Sequence, residues 1–374
     1  MVEPTPFRVT IGDDAVKDLR ERLARTRWPE KETVDDWSQG IPLAYVQELC
    51  SYWADGYDFV AAEQRFNAFP QFRTPVDGLG IHFIHARSSN VNALPLILTH
   101  GWPGSVAELL HVVEPLINPP DSDDAFHVVV PSLPGYGFSD KPTAPGWNID
   151  RVARAWAALM ASLGYERYGA QGGDWGAMVT TSIGQQDVAH VAGIHLNMAI
   201  ATPDPETMND LTPQEQSALE GMAHYSRWES GYSTQQASRP QTLGYGLADS
   251  PAAQCAWIVE KFWAWTDCDG HPENVFTKDQ LLDNVMLYWL PATGASSARL
   301  YWESFHTMSQ GEVPVPTGIS VFPKEIFRPS RRWAERRFTD IRWFNELEKG
   351  GHFAAFEQPE AFVDEVRGFF RLVR

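Results

Sequence analysis

The chain has 374 residues, 43% hydrophobic and 21% charged, which is enough apolar side chain for a large core and too much for a disordered chain. With a net charge of −18 the chain lacks the electrostatic footprint of a nucleic-acid binder, so no nucleic-acid partner is expected. Three scattered cysteines, Cys50, Cys255 and Cys268, exclude a disulfide scaffold and a cysteine-rich zinc site, and no apolar run approaches the roughly 18 residues of a membrane span.

The opening Met1-Val2-Glu3-Pro4-Thr5-Pro6 has neither the basic nor the apolar region of a signal peptide, so a cytoplasmic location is expected. Of the 30 basic residues seven are lysine, an arginine bias that fits a GC-rich bacterial genome. Residues 1–70 read as helices and loops. Val16, Leu19 and Leu23 form one helical stripe, with Asp13 and Asp14 at its start. Leu43, Val46, Leu49, Cys50 and Trp53 form a second, and Phe59, Ala62 and Phe66 a third. These predict a packed helical extension.

From residue 71 the rhythm changes. Phe72–Val76 and Ile81–His85 read as strands around the Asp77-Gly78 turn. Short apolar strands then alternate with helical patterns. The strands are Leu94–Thr99, Phe126–Pro131, Tyr168–Gln171, Val191–Leu196, Ile319–Phe322 and Ile341–Phe344; the helical patterns lie near 149–163, 176–187 and 359–371. Such alternation predicts an α/β fold, a mainly parallel sheet with helices on both faces. Between about 200 and 311 the alternation stops and the period becomes helical, as at Ile258, Phe262 and Trp265. The expected division is therefore an extension (1–70), the first part of the core (71–199), a helical lid (200–311) and the rest of the core (312–374). An insertion at that point would lie over the carboxyl ends of the strands, where open α/β sheets bind ligands.

Gly172-Gly173-Asp174-Trp175-Gly176 follows a strand and precedes a helical pattern. Small residues flanking a residue at a strand–turn–helix junction make a nucleophile elbow, here with Asp174 at its tip. A carboxylate there can attack carbon and form an ester; the plainer alternative is a glycine-rich turn whose aspartate caps the helix. Three companions favour the elbow. His100-Gly101-Trp102-Pro103-Gly104 follows Leu94–Thr99, where a hydrolase of this fold places an oxyanion-hole loop. Its donors would be the backbone N–H groups of Trp102 and Trp175. Pro134-Gly135-Tyr136-Gly137 follows the next strand and lacks the third glycine of a dinucleotide fingerprint. Gly350-Gly351-His352-Phe353 comes late in the chain, in the place of the base. An acid must orient that imidazole. Glu325, Glu335, Asp340, Glu346 and Glu348 are the candidates, with Glu325 favoured because it lies just beyond a strand. Arg331, Arg332, Arg336 and Arg337 read as a solvated helix face, and His82 and His85 should face opposite sides of a strand. No cofactor-binding or metal-binding motif is present.

With these motifs the sequence resembles the microsomal-type epoxide hydrolases. The resemblance rests on His100-Gly-Trp-Pro, Gly173-Asp174-Trp-Gly, Pro316-Thr-Gly-Ile-Ser-Val-Phe-Pro-Lys-Glu325 and Gly350-Gly-His352-Phe-Ala-Ala-Phe-Glu, and it spans nearly the whole chain. It implies the α/β-hydrolase fold with a helical lid, and cofactor-independent hydrolysis of epoxides to vicinal diols. It places the nucleophile on Asp174, the acid on Glu325 and the base on His352. It also implies two lid tyrosines. One is Tyr232 in Glu229-Ser-Gly-Tyr and the other is Tyr301 in Arg299-Leu-Tyr-Trp-Glu. The residues alone do not choose these two from Tyr225, Tyr232, Tyr245, Tyr288 and Tyr301. Mammalian members begin with a membrane-anchor helix; this chain resembles the soluble microbial members.

The expected substrate is an apolar or aromatic epoxide. A homodimer is the base-rate expectation for assembly. Two other readings share the elbow aspartate or the fold. A haloalkane dehalogenase would release halide and need no paired tyrosines. A non-catalytic binding protein would hold an epoxide without turnover. A serine esterase is disfavoured by the aspartate at the tip.

Overall fold

The computed structural model describes residues 3–305, 307 and 310–374. Met1 and Val2, where the signal-peptide reading begins, and His306, Met308 and Ser309, near the end of the expected lid, lie outside the described residues.

Nine strands are present among the described residues: β1 (Thr5–Phe7), β2 (Gln71–Val76), β3 (Leu79–Ala86), β4 (Leu94–Thr99), β5 (Phe126–Pro131), β6 (Tyr168–Gly172), β7 (Val191–Leu196), β8 (Val313–Val321) and β9 (Phe338–Glu346). They form one sheet in the order β1-β2-β3-β5-β4-β6-β7-β8-β9. The pairs β1–β2, β2–β3 and β3–β5 are antiparallel, and the rest of the sheet is parallel. Strands β5, β6 and β7 are buried at every position, which explains their mostly apolar sequence without polar alternation: both faces are covered. Ile149–Ser162, capped by the Asn148 side chain on Arg151 N–H, is one of the covering helices. The arrangement is the α/β-hydrolase fold.

Two elements depart from expectation. β1 lies inside the segment read as helix and loop. It is three residues long, follows Pro4 and contains Pro6, so it carries no periodic signal; it forms by adding to the edge of β2. β8 starts at Val313 rather than Ile319, because its register shifts between Val313 and Pro316 accommodate two prolines in the strand. On β3, His82 meets Ser132 and Gln71, whereas His85 meets Tyr165.

Between β7 and β8 the chain is helical, with Pro213–His224, Gly231–Ser238, Pro240–Asp249, Pro251–Ala264, Lys278–Trp289 and Gly294–Ser304 as its main helices. The N-terminal helices bond to this segment. Arg65 and Tyr57 converge on the buried Asp283 at 2.6 and 2.5 Å, Tyr52 donates to Asp279, and Trp37 stacks on Trp263. The arginine cluster is not simply a solvated helix face. Arg332 binds the buried Glu215 at 2.5 Å, Arg336 pairs with Asp204, and Arg337 donates to the Ile200 carbonyl. These arginines tie the core to the start of the helical segment. No helix among the described residues is long and apolar enough to cross a membrane.

Candidate active site

β6 ends at Gly172 and the helix Trp175–Gln186 begins two residues after Gly173. Asp174 sits between them with φ 50° and ψ −129°, a conformation that costs an L-residue about 1–3 kcal/mol. The turn is tight enough to require glycine on both flanks. A Cβ on Gly172 would lie 2.2 Å from the Gly176 carbonyl oxygen, and one on Gly176 would lie 1.8 Å from that of Thr99. The carboxylate is thereby raised above the carboxyl edge of the sheet, the ligand-binding edge of open α/β folds.

The loop after β4 meets it there. Trp102 N–H donates to Asp174 Oδ1 at 2.8 Å. This loop is held from several directions. Asn284 donates to the Pro103 carbonyl at 2.7 Å and Tyr288 to the Gly104 carbonyl at 2.5 Å. The Ser105 hydroxyl donates to Asn284 Oδ1. Burial pulls the His100 imidazole down to about 4, and Nε2 of this neutral ring accepts from Leu133 N–H. Trp175 opens the helix after the elbow, so its N–H is one of the helix-end donors without an intrahelical partner.

His352 approaches from the other side, in the loop after β9. Its backbone N–H donates to the Trp265 carbonyl at 2.9 Å. Nδ1 lies 2.6 Å from Glu325 Oε1, and Nε2 lies 3.4 Å from Asp174 Oδ2. Glu325 follows β8, and its Oε1 also accepts from Ile326 N–H at 2.7 Å. Burial disfavours the imidazolium, but the carboxylates of Glu325 and Asp174 outweigh it and hold His352 well above the ordinary imidazole range. The rival acids are elsewhere: Glu335 pairs with Arg331, Asp340 with Arg342, and Glu346 and Glu348 are exposed.

Tyr232 and Tyr301 come from the helices Gly231–Ser238 and Gly294–Ser304 and are both buried. Tyr232 stacks on Trp102 with ring centres 4.9 Å apart, and Tyr301 meets Trp175 edge-on at 4.7 Å. Tyr225 and Tyr232 share a hydroxyl–hydroxyl bond of 3.0 Å, whereas the Tyr301 hydroxyl has no partner among the described residues. Burial first, then neighbouring phenols and the Asp174 charge, keep Tyr232 and Tyr301 well above 10, so both remain proton donors at neutral pH. Tyr288 is committed to the Gly104 carbonyl in the loop after β4, and Tyr245 is exposed.

Other contacts were not foreseen from sequence. Lys261 places its ammonium 4.8 Å from the centre of the Tyr232 ring, and Trp265 supports His352 through its carbonyl and ring. Glu108 lies beside Asp174 and His352 in the same cavity. Neither Lys261 nor Glu108 belongs to a motif, so only the fold connects them to the site. No cluster of three or more metal-ligating side chains occurs among the described residues.

Residues 4–109 match the family model described as "Epoxide hydrolase N terminus", and residues 95–226 match "alpha/beta hydrolase fold". A Stigmatella aurantiaca (strain DW4/3-1) protein provisionally named an epoxide hydrolase is 53% identical over 376 residues, covering 99% of this chain and 85% of its own. Epoxide hydrolase 1 of Oryctolagus cuniculus is 35% identical over 404 residues, covering 98% of this chain and 89% of its own. The solved structure of Aspergillus niger epoxide hydrolase superposes with a TM-score of 0.92 at 31% identity, covering 100% of this chain and 97% of that one.

Proposed function

Because this chain belongs to the microsomal-type epoxide hydrolase family and is a hydrolase of epoxides, we propose that it acts in two steps through an ester on Asp174. In the first step Asp174 Oδ2 attacks an epoxide carbon, Oδ1 being engaged by Trp102 N–H. The carbon–oxygen ring bond breaks, and the alkoxide takes a proton from Tyr232 or Tyr301. Alkoxide is a poor leaving group near neutral pH, and general-acid assistance is typically worth about 10²–10⁴-fold. A departing halide would need no such donor, so two buried phenols suit an epoxide better than a haloalkane.

In the second step His352 Nε2 takes a proton from water, and the water oxygen attacks Asp174 Cγ. The oxyanion forms on Oδ1, facing the N–H groups of Trp102 and Trp175. The Cγ–Oδ2 bond then breaks, the His352 imidazolium protonates the departing alkoxide, the carboxylic acid left on Asp174 gives its proton back to the tyrosine, and the diol leaves with the original aspartate oxygen. Alkylation itself arms the base. It removes the Asp174 charge, one of the two carboxylates that keep His352 protonated, so the imidazole pKa falls once the ester exists. The rings of Trp102, Trp175 and Trp265 around the phenols suit an apolar or aromatic epoxide.

The observation that carries this reading is the placement of one carboxylate. Asp174 faces a backbone N–H with one oxygen and the Glu325–His352 pair with the other. A single turnover in ¹⁸O-water tests it. The label is expected in the peptide containing Asp174; label in the diol alone would refute the ester.

A further inference from the structure

The two phenols above Asp174 are not equivalent. The Tyr301 hydroxyl is buried with no partner among the described residues, whereas the Tyr232 hydroxyl lies 3.0 Å from that of Tyr225. Ring opening consumes the Asp174 charge and leaves a negative charge on whichever phenol gives up its proton. A phenolate on an enclosed ring is costly unless it is partnered. The bond to Tyr225 gives that charge another place to rest.

Tyr225 stands where the helix Pro213–His224 passes into a π-helical turn, Tyr225–Glu229. Such turns are rare and often mark functional positions. The Phe327 ring meets Tyr225 edge-on from the core, with centres 5.4 Å apart. Tyr225 is half-buried and Tyr232 is 6% exposed, so Tyr225 is the member of the pair nearer to water. The charged and titratable groups acting on it are Tyr232 and Glu229 on the lid and Asp174 on the core, and Phe327 adds none. Burial raises both phenols, Tyr232 well above 10 and Tyr225 less, because the hydroxyls of Tyr232 and Ser233 act to lower Tyr225.

We propose that Tyr232, not Tyr301, protonates the alkoxide, and that Tyr225 is a positioning residue behind it that relays a proton and takes up the charge. In the ligand-free site either hydroxyl can donate to the other. With an epoxide present, Tyr232 turns its O–H to the ring oxygen and accepts from Tyr225. The Tyr232 O–H bond breaks as the first hydroxyl of the product forms. The Tyr225 O–H bond breaks as that of Tyr232 is restored. The negative charge that began on Asp174 ends on the Tyr225 oxygen. After ester hydrolysis the Asp174 carboxylic acid returns its proton along the same chain. Tyr301 hydrogen-bonds the ring oxygen and keeps its proton.

This inference rests on the ester mechanism, so its test separates the two. With styrene oxide as probe, ester formation is followed by rapid-quench mass spectrometry and ester breakdown by single-turnover diol release. If His352→Gln accumulates no ester, the two-step scheme has failed, and the relay with it. Given an ester, Tyr225→Phe removes one hydroxyl and keeps the ring. It is expected to slow formation by about tenfold, the worth of a hydrogen bond to a charged group, and breakdown by less than about twofold. In a Tyr301→Phe background the loss of about tenfold should persist; in a Tyr232→Phe background it should shrink to less than about twofold, because the effect passes through Tyr232. A merely structural role would cost the same in both backgrounds, and that result would overturn the proposal. Proton movement gives an independent readout. In mixtures of H₂O and D₂O, the rate of ester formation should curve with deuterium fraction in the unaltered protein, where two protons move. It should fall on a straight line in Tyr225→Phe, where one does. The same dependence in both, or formation unchanged by Tyr225→Phe, would also overturn it.

Discussion

The two sides of Asp174 are built differently. On the core side each group stands at the end of a strand and is fixed by backbone. Trp102 follows β4, Glu325 follows β8 and His352 follows β9, and the closest contacts among them lie between 2.6 and 3.4 Å. On the lid side Tyr232 and Tyr301 are carried by helices and located by ring packing, with centre-to-centre distances of 4.7–5.9 Å to Trp102, Trp175 and each other. Backbone-fixed groups suit proton transfer to and from a water that must be aimed. Ring-packed phenols suit a ligand that must first enter. On the proposed mechanism ester hydrolysis falls to the core side and ring opening to the lid side, and perturbations should separate along that line.

The largest effect belongs to the residue both sides share. Asp174→Ala is expected to lower diol formation by on the order of 10⁴-fold or more, with neither half-reaction surviving. Turnover close to that of the unaltered enzyme would remove Asp174 from the centre of the comparison. His352→Gln should act on the core side alone. Steady-state turnover is expected to fall by roughly 10³-fold while ester still forms, read as a mass increase of one substrate. The pH dependence has a definite sign. Imidazolium cannot accept a proton, so ester breakdown should slow as pH falls. Its apparent pKa should lie below that of His352 in the resting enzyme, where Asp174 is still charged. A breakdown rate that rises on acidification would contradict His352 as the base. Replacing Tyr232 and Tyr301 together by Phe should slow ester formation by about 10²–10⁴-fold and leave breakdown nearly untouched. If that double variant slowed both steps alike, the division between the two sides would collapse.

The same contrast explains what could be read from the sequence. The β/α alternation, the elbow and the late histidine are local patterns, because a strand end and its loop are contiguous in the chain. Glu325 stood out from Asp340 and Glu346 for the same reason: it follows a strand. The phenols were not separable by pattern. Tyr288 and Tyr301 are both buried lid tyrosines, and only packing turns one toward the Gly104 carbonyl and the other toward Trp175. Glu108 was invisible because its place beside Asp174 and His352 depends on folding back over Gly104. The arginine cluster misled because a run of guanidinium groups looks the same whether it faces water or a buried carboxylate.

That buried carboxylate offers the mildest test, since it acts on the lid side at a distance. Glu215 is 1% exposed, closes a capping box with Thr212, and binds Arg332 and Ser330 across the boundary between the helical segment and the core. Glu215→Gln keeps the shape but weakens these bonds, at a cost of about 1–3 kcal/mol in stability, visible as a lower Tm at pH 7. Hydrogen bonding to Arg332, working against burial, holds the Glu215 carboxyl down at about 2 rather than 4.5. A depressed carboxyl contributes fully above its unfolded value and loses that contribution as pH falls through the folded one. The advantage of the unaltered protein over Glu215→Gln should therefore hold above pH 4.5 and shrink from there toward about 2. If this tie also steadies the helices that bring in the phenols, ester formation should slow by a few-fold and breakdown should not change. Equal Tm values at pH 7 would mean that the pair holds nothing together, and the lid side would then owe its geometry to ring packing alone.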